Sequence, residues 1–293
     1  VLYTALGGEG VGEAVFQLLY GRACPAGRLA ETWPKRLEDT PAARHWPMGP
    51  DAVTYNESIY VGYRYYDKAH VDVRFPFGYG LSYSSFDLAF GSAEQTDEGV
   101  ELCCTVSNTG DRFSGKETVQ VYVEKPCGNL GNPTRILAGF AKTKRLAPGE
   151  SQQLTILVPL ERLSSYDGGG KTGHRSAYVI EKGVYGFAVG ANVRDAVRVW
   201  AFTQEETAVL EQLEEAAAPV EPFSILTAKE VDGARVPVKA PVHTRTADLK
   251  QRILQSLPKG VPMTGDQGYR FADVKAGKVT LDEFVAQLDL TEL

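Results

Sequence analysis

Two carboxylates, Glu9 and Glu57, stand among glycine, aromatic and turn residues, a setting in which a carboxyl group can serve as acid, base or nucleophile. Such work on a glycosidic bond needs two carboxyl groups facing one sugar, about 5–5.5 Å apart for retention and about 6.5–9.5 Å for inversion. Each acid also has a plainer explanation. Glu9 precedes an apolar helix, where a negative charge stabilises the dipole by ~0.3–1 kcal/mol. Glu57 can anchor the start of a strand through hydrogen bonds, and Asp67, at a turn after Tyr66, can pair with a backbone or basic group. His45, His70, His174 and His243 are scattered without HxxxH spacing, so no metal site is expected. No GxSxG occurs, and no Cys or Ser is set beside a His, so no nucleophilic triad is indicated. "GGEGVG" before a helix resembles a phosphate cradle, but Glu13 takes the position of the last glycine counted from Gly8 and no Walker lysine follows. The residues by themselves show no complete active site.

Composition narrows the field further. The 293 residues suffice for two or three domains at roughly 100–200 residues each. Hydrophobic content of 43% and charge of 23% are those of an ordinary globular protein. With 31 Lys and Arg against 37 Asp and Glu, and no basic tract, nucleic acid and anionic membrane are poor partners. No apolar run approaches the ~18–20 residues of a membrane span. Cys24, Cys103, Cys104 and Cys127 show no CxxC spacing. Adjacent Cys103 and Cys104 point to opposite faces of a strand and do not readily bridge. The four read as reduced thiols, which favours a cytoplasmic protein, with Cys127 in a loop as the one expected to react. The chain opens at Val1 without a methionine and both ends look cut, so export is left open.

The elements that must position these residues follow from periodicity. "VLYTAL" reads as a buried strand, "EAVFQLLYG" as a helix stopped by Gly21, and Trp33-Pro34 as a short extended piece. Residues 35–54 read as a surface loop. In "YNESIYVGYRYYD", strand alternation places Ile59, Val61, Tyr63 and Tyr65 on one face and Tyr60, Gly62, Arg64 and Tyr66 on the other. Such rings suit a packed strand, and a row of tyrosines also suits a polar ligand, so the pattern leaves both readings open. From about Tyr83 the period is two, in Val100–Val106, Val119–Val123, "RILAGFAKTKRL", "SQQLTILVPL", "GVYGFAVG" and "AVRVWAF". About seven such strands between Gly, Pro and Asn turns predict an antiparallel sandwich of immunoglobulin or fibronectin type. "EETAVLEQLEEAAAP" reads as a short acidic helix, residues 219–244 as a proline-bearing tether, and "TADLKQRILQSLP" as an amphipathic helix capped by Thr246 or Asp248. A turn-rich "MTGDQGYRFADV" leads to a last helix with an apolar stripe of Leu281, Phe284, Val285 and Leu288 that stops without a cap.

The ordered string "GGEGVGEAVFQLLYGRACPAGRLAETWPKRLED" resembles the end of the α/β sandwich domain of family 3 glycoside hydrolases. "GYRY" at 62–65 and "FPFGYGLSY" at 75–83 look like that family's next signature, and "VSNTGDRFSGKETVQVYV" with "LAGFAKTKRLAPGESQQLTI" is similar to its fibronectin type III-like domain. The resemblance implies a mainly β chain in four parts: the end of an α/β sandwich with connector (1–82), the fibronectin-like sandwich (83–203), a helix and linker (204–262), and the start of a following domain (263–293). "TLDEFVAQLDLTEL" resembles the helix that begins the family's barrel, which implies a permuted domain order. A β-glucosidase acting with retention through a covalent intermediate and without cofactor is then implied, on a β-glycoside or oligosaccharide substrate and with the chain in contact with a barrel domain. The family's nucleophilic aspartate and acid/base glutamate have no matching positions here, so no catalytic residue is assigned. "YNESI" resembles a stretch on the active-site side, which makes Glu57 and Tyr55 the expected substrate-binding residues. The alternative is a non-catalytic sandwich that binds carbohydrate or protein, for which Tyr122 and Trp200 would have to present exposed rings.

Overall fold

The computed structural model describes residues 1–43, 49, 51–232, 234–258, 260–289, 291 and 292. They form two compact units, Val1–Arg245 and Thr246–Leu293. The first unit begins with exposed chain that has no regular secondary structure, where "VLYTAL" was expected to be a strand. A strand persists only with a hydrogen-bonded neighbour, and among the described residues none lies beside it. Helix α1 (Val11–Leu19) follows and closes at Tyr20, with Gly21 just beyond at φ +66°, the left-handed position expected of a glycine stop. Strand β1 (Trp33–Pro34) is followed by a 3₁₀ turn, Leu37–Asp39; His45 falls outside the described residues.

The aromatic alternation does not become a strand. Gly62, at φ +56°, turns the chain into the single-turn helix α2 (Tyr63–Tyr66), whose Tyr66 N–H donates to the Gly62 carbonyl at 3.2 Å. A helical turn puts residues three apart on one face, and Tyr63 and Tyr66 are both buried. Packing of these two rings overrides the β propensity that tyrosine and valine show locally. Strand β2 (Val73–Phe75) then pairs antiparallel with β1, Phe75 opposite Trp33.

Strands β3 (Phe86–Thr96), β4 (Gly99–Asn108), β5 (Thr118–Glu124), β6 (Ile136–Lys142) and β7 (Ser151–Pro159) open the sandwich. Before it is completed, helix α3 (Leu160–Leu163), β8 (Ser165–Asp167) and β9 (Ala177–Ile180) intervene; β10 (Gly183–Gly190) and β11 (Val197–Gln204) finish it. One sheet has the order β3-β4-β7 and the other β11-β10-β5-β6, all pairs antiparallel. Their facing sides share one core in which Val100, Leu102, Cys104 and Val106 alternate along β4 and Val119, Val121 and Val123 along β5. Cys103 and Cys104 point opposite ways, as expected, and only Cys104 is buried.

Every residue of β5 is buried, because its outer face is covered too. Tyr63 and Phe77 pack there on Tyr122 and Ala188, and the Leu137 N–H donates to the Tyr63 hydroxyl at 2.8 Å. Gly78, at φ +83°, lies so close to Gln120 that an added Cβ would meet its Oε1 at 2.1 Å. Arg28 ties the same junction together through an ion pair with Glu117 and a hydrogen bond to the Gly80 carbonyl.

Two stretches after the sandwich differ from expectation. "EETAVLEQLEE" contains strand β12 (Ala208–Gln212), paired with β9, rather than a helix. The unpaired edge of β9 supplies ladder partners that outweigh the helix preference of Glu, Leu and Ala. Residues 219–244, read as a tether, carry the hairpin β13 (Ser224–Val231) and β14 (Ala234–Pro241), paired over all eight positions. In β14, half-buried Val236, Val238 and Ala240 alternate with exposed Pro237 and Lys239, the period of a strand. Its prolines are tolerated because β14 is an edge strand.

The second unit holds α4 (Leu249–Ser256), α5 (Phe271–Lys275) and α6 (Leu281–Ala286). Asp248 caps α4 by accepting the Gln251 N–H at 3.0 Å, one of the two caps expected. Helix α5 lies in the stretch read as turns. Thr280 and Glu283 form a capping box on α6, and Phe284 meets Phe271 with ring centroids 5.8 Å apart. The helix does not stop bare: Gln287 accepts the N–H groups of Gln267 and Tyr269 and donates to the Tyr269 carbonyl at 2.6 Å. Leu281 is exposed, whereas Phe284, Val285 and Leu288 are half-buried.

Candidate functional site

Glu57 and Tyr55 lie in a tight turn over residues 54–60. The Asn56 N–H donates to the Thr54 carbonyl at 2.9 Å, and the Tyr60 N–H to the Glu57 carbonyl at 2.9 Å. Ser58 stands at φ +53°, a left-handed conformation that costs a side-chain-bearing residue about 1–3 kcal/mol and needs support from its surroundings. Tyr55 is 78% exposed and Glu57 is half-buried, so both side chains are reachable.

What holds the turn is on either side of it. Tyr60 is buried with Cys127 and Ala228, and its hydroxyl donates to the Gly131 carbonyl in the β5–β6 loop. That loop is fixed in turn by Glu181, which accepts the Asn129 N–H at 2.7 Å and the Asn132 amide at 3.1 Å. On the other side β13 runs past Asn56, whose carbonyl accepts the Leu226 N–H at 2.7 Å and whose amide donates to the Ser224 carbonyl at 3.1 Å. Cys127, expected to be the reactive thiol, is therefore buried in this contact and closed to reagents; the loop position suggested exposure, but Tyr60 and β13 cover it.

The structure does not bring Glu9 into this turn's contacts; it stands exposed before α1. Asp67 pairs with Arg194 at 3.1 Å, as its turn position suggested, in an open cleft of about 450 Å³ that also holds His70, Asp72 and Arg135. Burial pushes the Asp67 carboxyl up while Arg194 opposes it. The charges of the cleft are matched, for Asp72 pairs with Lys35 and Arg135 with Glu124. His243 meets Glu215 at 2.8 Å and Arg175 at 2.5 Å, far along the chain from the acids considered above. Among the described residues no group of three or more His, Cys, Asp or Glu is placed to hold a metal ion, and no helix is long and apolar enough to cross a membrane. Tyr122 is fully buried and Trp200 half-buried against Phe187 and Phe202, so neither offers an open ring to a ligand. Asn56 and Ser58 are the residues that sequence reading missed, with only their turn-forming character to point to them, and Tyr60 was read as part of a strand face.

Residues 1–83 match the glycosyl hydrolase family 3 C-terminal domain, and residues 117–193 match a fibronectin type III-like domain. The whole chain aligns with a "Beta-glucosidase" of Ruminococcus albus at 43% identity and spans 30% of it. A β-glucosidase structure from Paenibacillus barengoltzii superposes over 96% of the chain with a TM-score of 0.81 and 44% identity, the chain covering 32% of it. β-Glucosidase 3B of Thermotoga neapolitana, solved with α-D-glucose, covers 69% of the chain at a TM-score of 0.63 and 35% identity, with 28% of its own length matched. The chain thus spans about three-tenths of the length of these relatives.

Proposed function

From the premise that the chain belongs to glycosyl hydrolase family 3, we propose that it is the scaffold portion of a β-glucosidase that cleaves O-glycosidic bonds with retention. The observation that carries this reading is the match of the whole chain to the Ruminococcus albus relative at 43% identity. Retention runs through a covalent glycosyl intermediate and uses two carboxyl groups and no cofactor. Both groups belong to parts of the enzyme without matching positions in this chain. The chain contributes one wall of the sugar site, at Glu57 and Tyr55, where a carboxylate can accept sugar hydroxyls and an exposed ring can cover the apolar face of a pyranose. The exposed apolar residues Leu6, Leu19 and Tyr20 support a covering domain over the first 20 residues. The likeness of α6 to the opening helix of the family's barrel favours a barrel that follows the fibronectin-like domain. Tyr122 is buried and Trp200 is packed between Phe187 and Phe202, which speaks against a free-standing carbohydrate-binding sandwich.

The test is an exchange. The chain alone is expected to leave 4-nitrophenyl β-D-glucopyranoside uncleaved above a buffer control. Placed in the Ruminococcus albus enzyme in exchange for the matching segment, it is expected to give saturable hydrolysis, with the β anomer released first. A folded but inactive chimera, or turnover by the chain alone that vanishes in Glu57→Gln, overturns the reading.

A further inference from the structure

We propose that the β13–β14 hairpin positions the sugar-facing turn, with Asn56 as the residue through which it acts; this rests on the function proposed above. The hairpin lies outside both family matches, which end at residues 83 and 193. A two-stranded hairpin is marginal on its own and is held by what it packs against. Here β13 has two edges. One pairs with β14, and the other meets Asn56 through the Leu226 N–H at 2.7 Å and the Ser224 carbonyl at 3.1 Å. Ala228 is buried against Tyr60 and Cys127, and an added Cβ on Gly131 would meet Thr227 Oγ1 at 2.4 Å. The turn is therefore gripped between β13 and the β5–β6 loop.

Two local costs sit inside that grip. Ser58 is left-handed, and Asn56 Oδ1 is buried without a partner among the described residues. A buried unpaired acceptor and a strained residue persist together only where the surroundings over-determine the backbone. The support comes from β13, and it acts on the residues immediately flanking Glu57. Fixing a binding group in place lowers the ordering entropy that substrate binding must overcome, so the hairpin's contribution appears in KM before it appears in kcat.

The experiment has two arms. Hydrogen exchange on the chain itself reads the grip: Asn56→Ala, and separately a chain with residues 223–242 replaced by a Gly-Ser linker, should exchange residues 54–60 at least tenfold faster, with β4 and β5 unchanged. Unchanged exchange in 54–60 overturns the proposal. Kinetics on the Ruminococcus albus chimera read the consequence: Asn56→Ala should raise KM for 4-nitrophenyl β-D-glucopyranoside about fivefold with kcat within twofold, and Asn56→Gln should recover part of the loss. Faster exchange with unchanged KM makes the hairpin a structural brace only and overturns the positioning role. An inactive chimera of unmodified sequence removes the functional reading itself, and this inference with it.

Discussion

Helix α1 is more apolar than strand β5, yet none of its nine residues is buried and all seven of β5's are. The difference lies in what surrounds them. Strand β5 has β10 and β6 at its edges, the opposite sheet beneath, and Tyr63 and Phe77 above. Helix α1 keeps an apolar stripe with no element of the described chain laid across it. Apolar content decides which segments seek burial; the neighbours decide which achieve it.

The largest effect should separate the two regions by truncating a ring in each. Phe187→Ala, in the core beside Trp200 and Phe202, should cost about 3–5 kcal/mol in urea unfolding. Phe16→Ala on α1 should cost under ~1 kcal/mol, since that ring is 37% exposed already. Equal losses would mean that α1 has a cover in solution and would erase the contrast.

Gly78→Ala tests the lid on β5. A side chain there meets Gln120 and holds a left-handed backbone, so about 2 kcal/mol should be lost, and Tyr122 should become more accessible to quenchers. Full stability in this variant would show that the connector can lift from the sandwich freely.

Lys125, buried at the end of the sandwich, gives the third measure. Burial, with Arg64 and Arg162 nearby and Glu181 opposing, lowers its ammonium to about 7 from 10.5. In the unfolded chain the amine keeps its proton up to the higher value, so the unfolded state binds more protons between the two. Stability should therefore rise as pH climbs from about 7 toward 10.5, by up to ~1.4 kcal/mol per pH unit, and lose that increment as pH falls to 7. The pH slope should be absent from Lys125→Met, measured by denaturant titration at pH 7.5 and 8.5. A slope shared by both proteins would assign the effect elsewhere.

The smallest effect concerns rates alone. Half-buried Cys24 and Cys103 should take up iodoacetamide well before Cys104 and Cys127, followed by timed mass spectrometry. Burial, with Cys103 adjacent, pushes the Cys104 thiol up to about 11, which slows it further. Early labelling of Cys127 would show that β13 leaves the turn readily.

The sandwich was legible because its strands alternate over one buried face, as β4 does, and their turns carry Gly, Pro and Asn. The connector was not. Tyr60, Tyr63 and Tyr66 are buried at a spacing of three, against different partners, and that spacing is masked by the continuous run of aromatic and β-branched residues around them. Strand β14 was hidden by Pro237 and Pro241, which an edge strand accommodates and a central one does not. Of the site, Glu57 could be singled out by its setting, but its supports could not. Ser224 lies 168 residues from Asn56, and no local pattern announces such a pairing.

That separation has a consequence during synthesis. A ribosome adds about 5–20 residues per second, so Asn56 emerges roughly ten to thirty seconds before Ser224. Over the later part of that interval, once residues 127–131 are made, the strained Ser58 turn has only the sandwich loop to lean on, and the Cys127 thiol lacks its β13 cover. The nascent chain thus passes through a stage whose thiol is open to oxidants and whose turn is open to chaperones. The hairpin, the last of the turn's supports to arrive, ends that stage.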